Sequence, residues 1–288
     1  MANRTVILQT NESKYNQSGW NDLFLPLSLN CTTILNENAH EVFSLYRTES
    51  IKVIKAVYDT FYFDLERAIP DDISKTIRRF HSDPQLWWAG QIASYILRPS
   101  ERLRQYIAEK KKTLGFTDVI VGLQIRRTDK LSEANYYNLT EYMKAADNWF
   151  DNYENKTGTT GKKRTIFIAT DDPGVVKEAR QKFSDHTIIN DIDVTVAASK
   201  RGTRYQYSSL VGIILDTFLL SMCDYIVCTM TSNICRLAFE LMQIRHIDAT
   251  TDAKSLDCPY FIQKLYKRHC KIRPTRLSAV EKMLKGVF

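Results

Sequence analysis

From residue 117 onward, short uninterrupted apolar runs alternate with longer stretches whose apolar positions recur every third or fourth residue. The runs from Asp118 to Ile125, Thr165 to Ala169, Thr187 to Ile189 and Tyr225 to Cys228 predict strands, because strands covered on both faces lose the alternation of polar and apolar positions. The stretches between them predict helices, from about Thr140 to Tyr153, from Asp172-Pro173 to about Phe183, from about 208 to 223, and from Ser232 to Gln243. A strand–helix alternation of this kind builds a parallel sheet with helices on its faces. Upstream, Thr5 to Gln9 and Ile51 to Tyr58 predict two more strands, and Asp71-Asp72 opens a helix with Ile73, Ile77 and Phe80 on one face. Asp83 at the N-cap with Pro84 at the first helical position starts a second helix, and Pro99-Ser100 stops it. Trp87 and Trp88 on that helix read as core packing. A third helix runs from about Glu101 to Leu114 and closes on Lys110-Lys111-Lys112, where cations meet the negative end of the helix dipole. These boundaries divide the chain into an N-terminal α/β portion, 1–116, a Rossmann-type region, 117–250, and a tail, 251–288.

Composition fits this picture. The 288 residues are 44% hydrophobic and 25% charged, enough apolar material for a core and too much for a disordered segment. The net charge of +7 suits a phosphate-bearing ligand. No run of Lys and Arg interleaves with aromatics, so a nucleic-acid partner is not expected. No window approaches the roughly 18 apolar residues that cross a bilayer, and MANRTVILQT is too polar for a signal peptide. Six Asn-x-Ser/Thr sequons, at Asn3, Asn11, Asn16, Asn30, Asn138 and Asn155, hint instead at a secretory lumen. The six cysteines and five histidines show no metal-ligand spacing, so no metal site is expected.

Candidate chemistry gathers at the C-terminal ends of the predicted strands, where open parallel sheets bind ligands. Arg126, Arg127, Asp129, Lys130 and then Glu133 follow the first strand, Thr170, Asp171 and Asp172 the second, and Thr229, Thr231 and Ser232 the last. The topology puts all three clusters on one edge. Adjacent residues at a strand end point to opposite sides. One arginine can therefore hold a phosphate in the bidentate manner of guanidinium, and the other can pair with a carboxylate such as Asp129. Asp172 before Pro173 reads as an N-cap; Asp171 has no such role. The hydroxyls before the last helix either cap it or, with its N–H groups, hold a phosphate. A bond between Cys228 and Cys235 would stiffen this turn in an oxidising compartment. Asp216 stands mid-helix among Ile213, Ile214, Leu215 and Phe218, and a buried carboxylate needs donors. An arginine such as Arg204 or the N–H groups of a base such as guanine would serve. Glu133, beside cations, stays ionised and is the candidate base for a hydroxyl nucleophile. These residues describe an α/β enzyme with a phosphate-bearing ligand.

The segments VGLQIRRTDK, IATDDP and SSLVGIILDTFLLSMCDYIVCTMTSNICRLAFELMQ resemble the α-1,6-fucosyltransferases of N-glycan core fucosylation. RTVILQTNESKYNQSGW, HSDPQLWW and YILRP extend the likeness in order, from about residue 4 to 261. The resemblance implies a GT-B-like fold, with GDP-fucose as donor to the 6-hydroxyl of the innermost N-acetylglucosamine of an N-glycan. It also implies inversion, no metal and no cofactor. By position it assigns Glu133 as the base, Lys130, Asp129, Arg126 and Arg127 as the essential charged group, Asp171 and Asp172 as an acidic pair, and Tyr142 as an active-site tyrosine. Arg126, Arg127, Gln124, Tyr15, Arg204, Asp216 and Ser232 would line the donor site, with Gln124 in place of the family's usual His, and Cys228 would pair with Cys235. It implies too that the chain begins inside the catalytic domain, and that the anchor, the stem and the SH3-like domain lie outside it. Membrane association is then expected only through those segments, and the Golgi lumen is the expected location.

Overall fold

The structure is a computed structural model that describes residues 19–27, 69, 71–116, 119–128, 135–159, 161–200 and 202–260. The strands expected at Thr5 to Gln9 and Ile51 to Tyr58 lie outside the described residues.

Among the described residues, a 3-10 turn at Trp20–Asp22 and three α-helices precede the sheet: α1 (Asp71–Ile77), α2 (Pro84–Ile96) and α3 (Glu101–Thr113). Their starts follow from local chemistry. The Asp83 side chain accepts the N–H groups of Gln85 and Leu86 ahead of Pro84, and the Ser100 hydroxyl accepts that of Leu103; each satisfies donors that a helix start leaves without partners. α1 ends sooner than its apolar spacing suggests. Phe80 falls in the following turn, 67% exposed, with the Arg79 guanidinium over its ring.

The α/β alternation then appears as β1 (Ile120–Ile125), α4 (Leu139–Thr157), β2 (Thr165–Thr170), α5 (Pro173–Lys182), β3 (Thr187–Ile189), α6 (Ile192–Ser199), α7 (Tyr207–Ser221), β4 (Tyr225–Cys228), α8 (Asn233–Met242) and β5 (Ala253–Ser255). Among the described residues the strands pair in parallel, in the order β3-β2-β1-β4-β5. This is the Rossmann-type sheet the sequence predicts, with two additions. α6 starts where the Asp191 carboxylate accepts the N–H groups of Asp193 and Val194. β5 lies beyond residue 250, so the sheet reaches into the segment read as tail.

Alternate residues of β1 feed two apolar layers. Val121, Leu123 and Ile125 pack with Met143, Ala146 and Phe150 of α4 and with Val175 and Ala179 of α5. Ile120 joins Leu215 and Leu219 of α7, Ala238 and Leu241 of α8, and Leu86, Leu103 and Ile107 of α2 and α3. Gln124, on this second side of β1, comes at the sheet edge where the apolar layer gives way to a cleft.

Glycine is required where α7 passes over β1. A Cβ on Gly122 would lie 2.8 Å from the Cys223 sulfur and 2.9 Å from Leu220 Cδ2. The α2–α8 crossing is closer still: a Cβ on Gly90 would collide with the Glu240 carbonyl oxygen and sit 2.9 Å from Gln243 Cβ. Gly90→Ala is expected to destabilise the protein by about 1–3 kcal/mol, as overpacked sites do, and thermal unfolding would show it as a lower Tm. An unchanged Tm would mean that the two helices separate without cost.

Candidate functional site

The chain leaves β1 toward β2 and β3, then returns to add β4 and β5 on the other side. The loops beyond β1 and β4 therefore run in opposite directions, and the gap between them is where such sheets hold ligands. A cleft of about 80 Å³ opens near it, over the ends of β1 and β2, lined by Gln124, Arg126, Thr170, Asp171, Arg204 and Asp216. Val194, Ile213 and Ile234 form its apolar wall.

The two adjacent arginines part as a strand end requires. Arg126 lines the cleft. Arg127 is buried, its guanidinium 3.9 Å from the centre of the Tyr136 ring. Asp171, left without a role by its position in the sequence, anchors their turn. It accepts the Arg127 N–H at 2.7 Å, the Thr128 hydroxyl at 2.5 Å and the Thr128 N–H at 3.3 Å. Arg204 completes the cluster, 3.7 Å from the Asp171 carboxylate and donating to the Thr128 hydroxyl at 3.3 Å. Asp172 does what its place before Pro173 predicts: it caps α5, accepting the Gly174 N–H at 2.8 Å.

Asp216 sits on the α7 wall of the cleft, among apolar neighbours. Burial pushes its carboxyl well above the ordinary carboxylate range, and the negative charge of Asp191 adds to the shift. Asp191 is itself paired with Lys110 of α3 at 2.6 Å. Of the two donors considered for Asp216, Arg204 is drawn instead to Asp171 and Thr128. Gln124 Oε1 and Ser232 Oγ are among the polar side-chain atoms buried without a hydrogen bond among the described residues. Ser232 holds the N-cap position of α8, yet its side chain caps nothing.

Tyr142 stands apart from this group. It is buried in the α4 layer on the opposite face of β1, and that burial raises its phenol despite the opposing charge of Arg127. Asp129, Lys130, Glu133 and Tyr15 lie outside the described residues. Cys228 and Cys235 are disulfide-bonded, tying the end of β4 to the first turn of α8. Cys258 is disulfide-bonded as well, whereas Cys223 is a buried free thiol. Neither Tyr136, which meets the Arg127 guanidinium, nor Asp257, whose carboxylate holds the turn after β4, carried any signal in the sequence.

The sequence profile of the alpha-(1,6)-fucosyltransferase N- and catalytic domains matches residues 1–261. The chain belongs to this family. It is 37% identical over 264 residues to the alpha-(1,6)-fucosyltransferase of Drosophila melanogaster and 32% identical over 267 residues to that of Caenorhabditis elegans. Each match takes in 90% of this chain but only 42% and 47% of the respective relative, so the chain spans under half the length of the fucosyltransferases it matches. Among solved structures, fucosyltransferase NodZ from Bradyrhizobium is similar at 17% identity and a TM-score of 0.32, covering 50% of this chain and 44% of that one. So loose a superposition adds nothing to the sheet order as a description of the fold.

Proposed function

We propose that the chain is the donor-binding and catalytic part of an enzyme that moves fucose from GDP-fucose to the 6-hydroxyl of the innermost N-acetylglucosamine of an N-glycan. Family membership supports this reading. One observation carries it: a single cleft presents guanidinium groups, from Arg126 and Arg204, and a carboxyl poor in protein donors, from Asp216. Guanidinium matches diphosphate oxygens. A carboxylate matches the paired N–H donors on the edge of guanine.

In the transfer, Glu133 takes the proton of the acceptor 6-hydroxyl as that oxygen attacks the anomeric carbon of fucose. The bond from that carbon to the diphosphate breaks, and GDP leaves with the electron pair. Attack from the face opposite GDP inverts the anomeric centre. The reaction uses no metal and no cofactor in this reading, so positive charge must meet the departing diphosphate. Arg126 supplies it, together with Lys130 and the positive end of α8, while Asp129 belongs to the same essential charged group and Ser232 to the donor site. Arg127, held over Tyr136, supports that loop from the α4 side, where Tyr142 lies. Gln124 and Tyr15 complete the donor pocket. The Golgi lumen is the compartment proposed, and the Cys228–Cys235 bond suits an oxidising lumen.

The test is GDP release from GDP-fucose, measured with and without an N-glycan acceptor, with the glycan product weighed by mass spectrometry. Acceptor-dependent release with gain of one deoxyhexose is expected. Nucleotide binding without acceptor-dependent release would leave a donor-binding relative without transfer activity.

A further inference from the structure

Two turns at the β1/β4 edge are held in the same way, each by a carboxylate from the next strand outward. On one side Asp171, which follows β2, takes the backbone N–H groups of Arg127 and Thr128 and the Thr128 hydroxyl. On the other side Asp257, two residues past β5, repeats the arrangement on the turn after β4. Its Oδ1 accepts the Met230 N–H at 2.8 Å, and its Oδ2 accepts the Thr231 hydroxyl at 2.5 Å and the Thr231 N–H at 3.3 Å. Asp257 Oδ1 also takes the Ser255 hydroxyl and the Cys258 N–H, each at 2.7 Å.

We propose that Asp257 is a positioning residue for diphosphate recognition: it fixes the turn from Thr229 to Ser232 so that the first turn of α8 faces the phosphates, as Asp171 fixes the turn that carries Arg126. The proposal rests on the donor-site reading above.

The bonding pattern makes the case. An α-helix leaves its first N–H groups without partners inside the helix. In α8 the intrahelical ladder opens with the Arg236 N–H to the Ser232 carbonyl, and among the described residues the N-cap side chain of Ser232 does not cap the groups before it. Ile234, in that first turn, lines the cleft. The positive end of α8 is thus turned toward the space where the diphosphate is proposed to lie, with the unpartnered Ser232 hydroxyl beside it. What sets its aim is the preceding turn. A carboxylate that accepts consecutive N–H groups and a hydroxyl holds such a turn in one conformation. It draws the Met230 and Thr231 N–H groups to itself and leaves those of α8 for the ligand. Its charge is spread over five donors, which limits repulsion of a nearby phosphate.

Calorimetric titration of GDP and of guanosine into the purified protein tests the idea, with thermal unfolding followed alongside. Asp257→Asn replaces one accepting oxygen by a donor facing other donors. It is expected to weaken GDP about tenfold, the worth of one charge-assisted hydrogen bond, and to leave guanosine affinity unchanged. A role confined to folding would weaken both ligands together, so parallel loss overturns the proposal, as does no change in either. If Asp257→Asn shows no cooperative unfolding, Thr231→Val decides. It deletes the hydroxyl bond to Asp257 and keeps the N–H bond, and a GDP-selective loss of about threefold is expected, judged by the same criteria. Wild-type protein that binds neither GDP nor guanosine would overturn the donor-site reading itself, and the positioning role with it, before any variant is made.

Discussion

Asp216→Asn is expected to cost the protein about 100-fold in GDP affinity while raising the Tm of the ligand-free form. The first effect follows from hydrogen-bond matching. The edge of guanine presents donors, and an amide answers one of them with its oxygen while setting its own N–H₂ against the other. A site built for a particular hydrogen-bond pattern discriminates by about this much or more when one group is left unpaired. The second effect follows from the raised carboxyl of Asp216. In the unfolded chain the group ionises in the ordinary carboxylate range, whereas in the folded protein it keeps its proton to higher pH. The folded state then binds more protons than the unfolded one, and stability falls as pH rises through the window between the two values. Asn removes that dependence, so its advantage is present at neutral pH and absent below the ordinary carboxylate range.

The same group makes nucleotide binding pH-dependent. Guanine donors require the ionised form, so binding releases the proton Asp216 holds in the free protein. GDP affinity should rise with pH up to the raised value and level off above it, and in Asp216→Asn the rise should vanish. Titrations of both proteins across a pH series would show this. A variant that keeps both affinity and slope would place guanine elsewhere.

Arg126→Ala is expected to produce a comparable loss with a different signature. Removing a guanidinium from a diphosphate forfeits a bidentate contact, two charge-assisted hydrogen bonds of about 1.5–3 kcal/mol each, and so about 100-fold or more in affinity. Guanosine, which lacks phosphate, should bind Arg126→Ala as it binds wild type, whereas Asp216→Asn should weaken both ligands. The two variants thus divide the cleft into a phosphate end and a base end. If GDP affinity survives the loss of Arg126, the diphosphate is not beside β1.

Much of this was legible before the fold was known. Long apolar runs without alternation marked β1, β2 and β4 as covered on both faces, and their parallel order follows from the helices between them. That order put three polar clusters on one edge, and Arg126, Thr170 and Asp171 of the first two line the cleft. The Asp-Pro pairs at Asp83 and Asp172 announced two helix starts through local chemistry alone. What stayed hidden depended on partners distant in the chain. β5 is three residues long, and its central Lys254 is exposed, so no apolar run betrays it. α6 carries Val194, Thr195 and Val196, whose branching at Cβ lowers helix propensity, and only the Asp191 cap signals it. Asp257 has no pattern of its own, because its meaning comes from the turn after β4, which is adjacent only once β5 joins the sheet. Asp172 announces its cap by standing before Pro173, whereas the bond by which Asp171 ties down a neighbouring strand's loop has no local signal.

The missing side chain at Gly90 has a further consequence. α2 and α8 meet there almost backbone to backbone, and α8 carries the donor-facing turn at its far end. A rod clasped in this way cannot slide or tilt alone. Substitutions along the α2–α8 seam, remote from any ligand atom, would act as fine adjustment of how the helix end addresses the phosphates. A screen for altered donor affinity would do well to randomise that seam as well as the cleft.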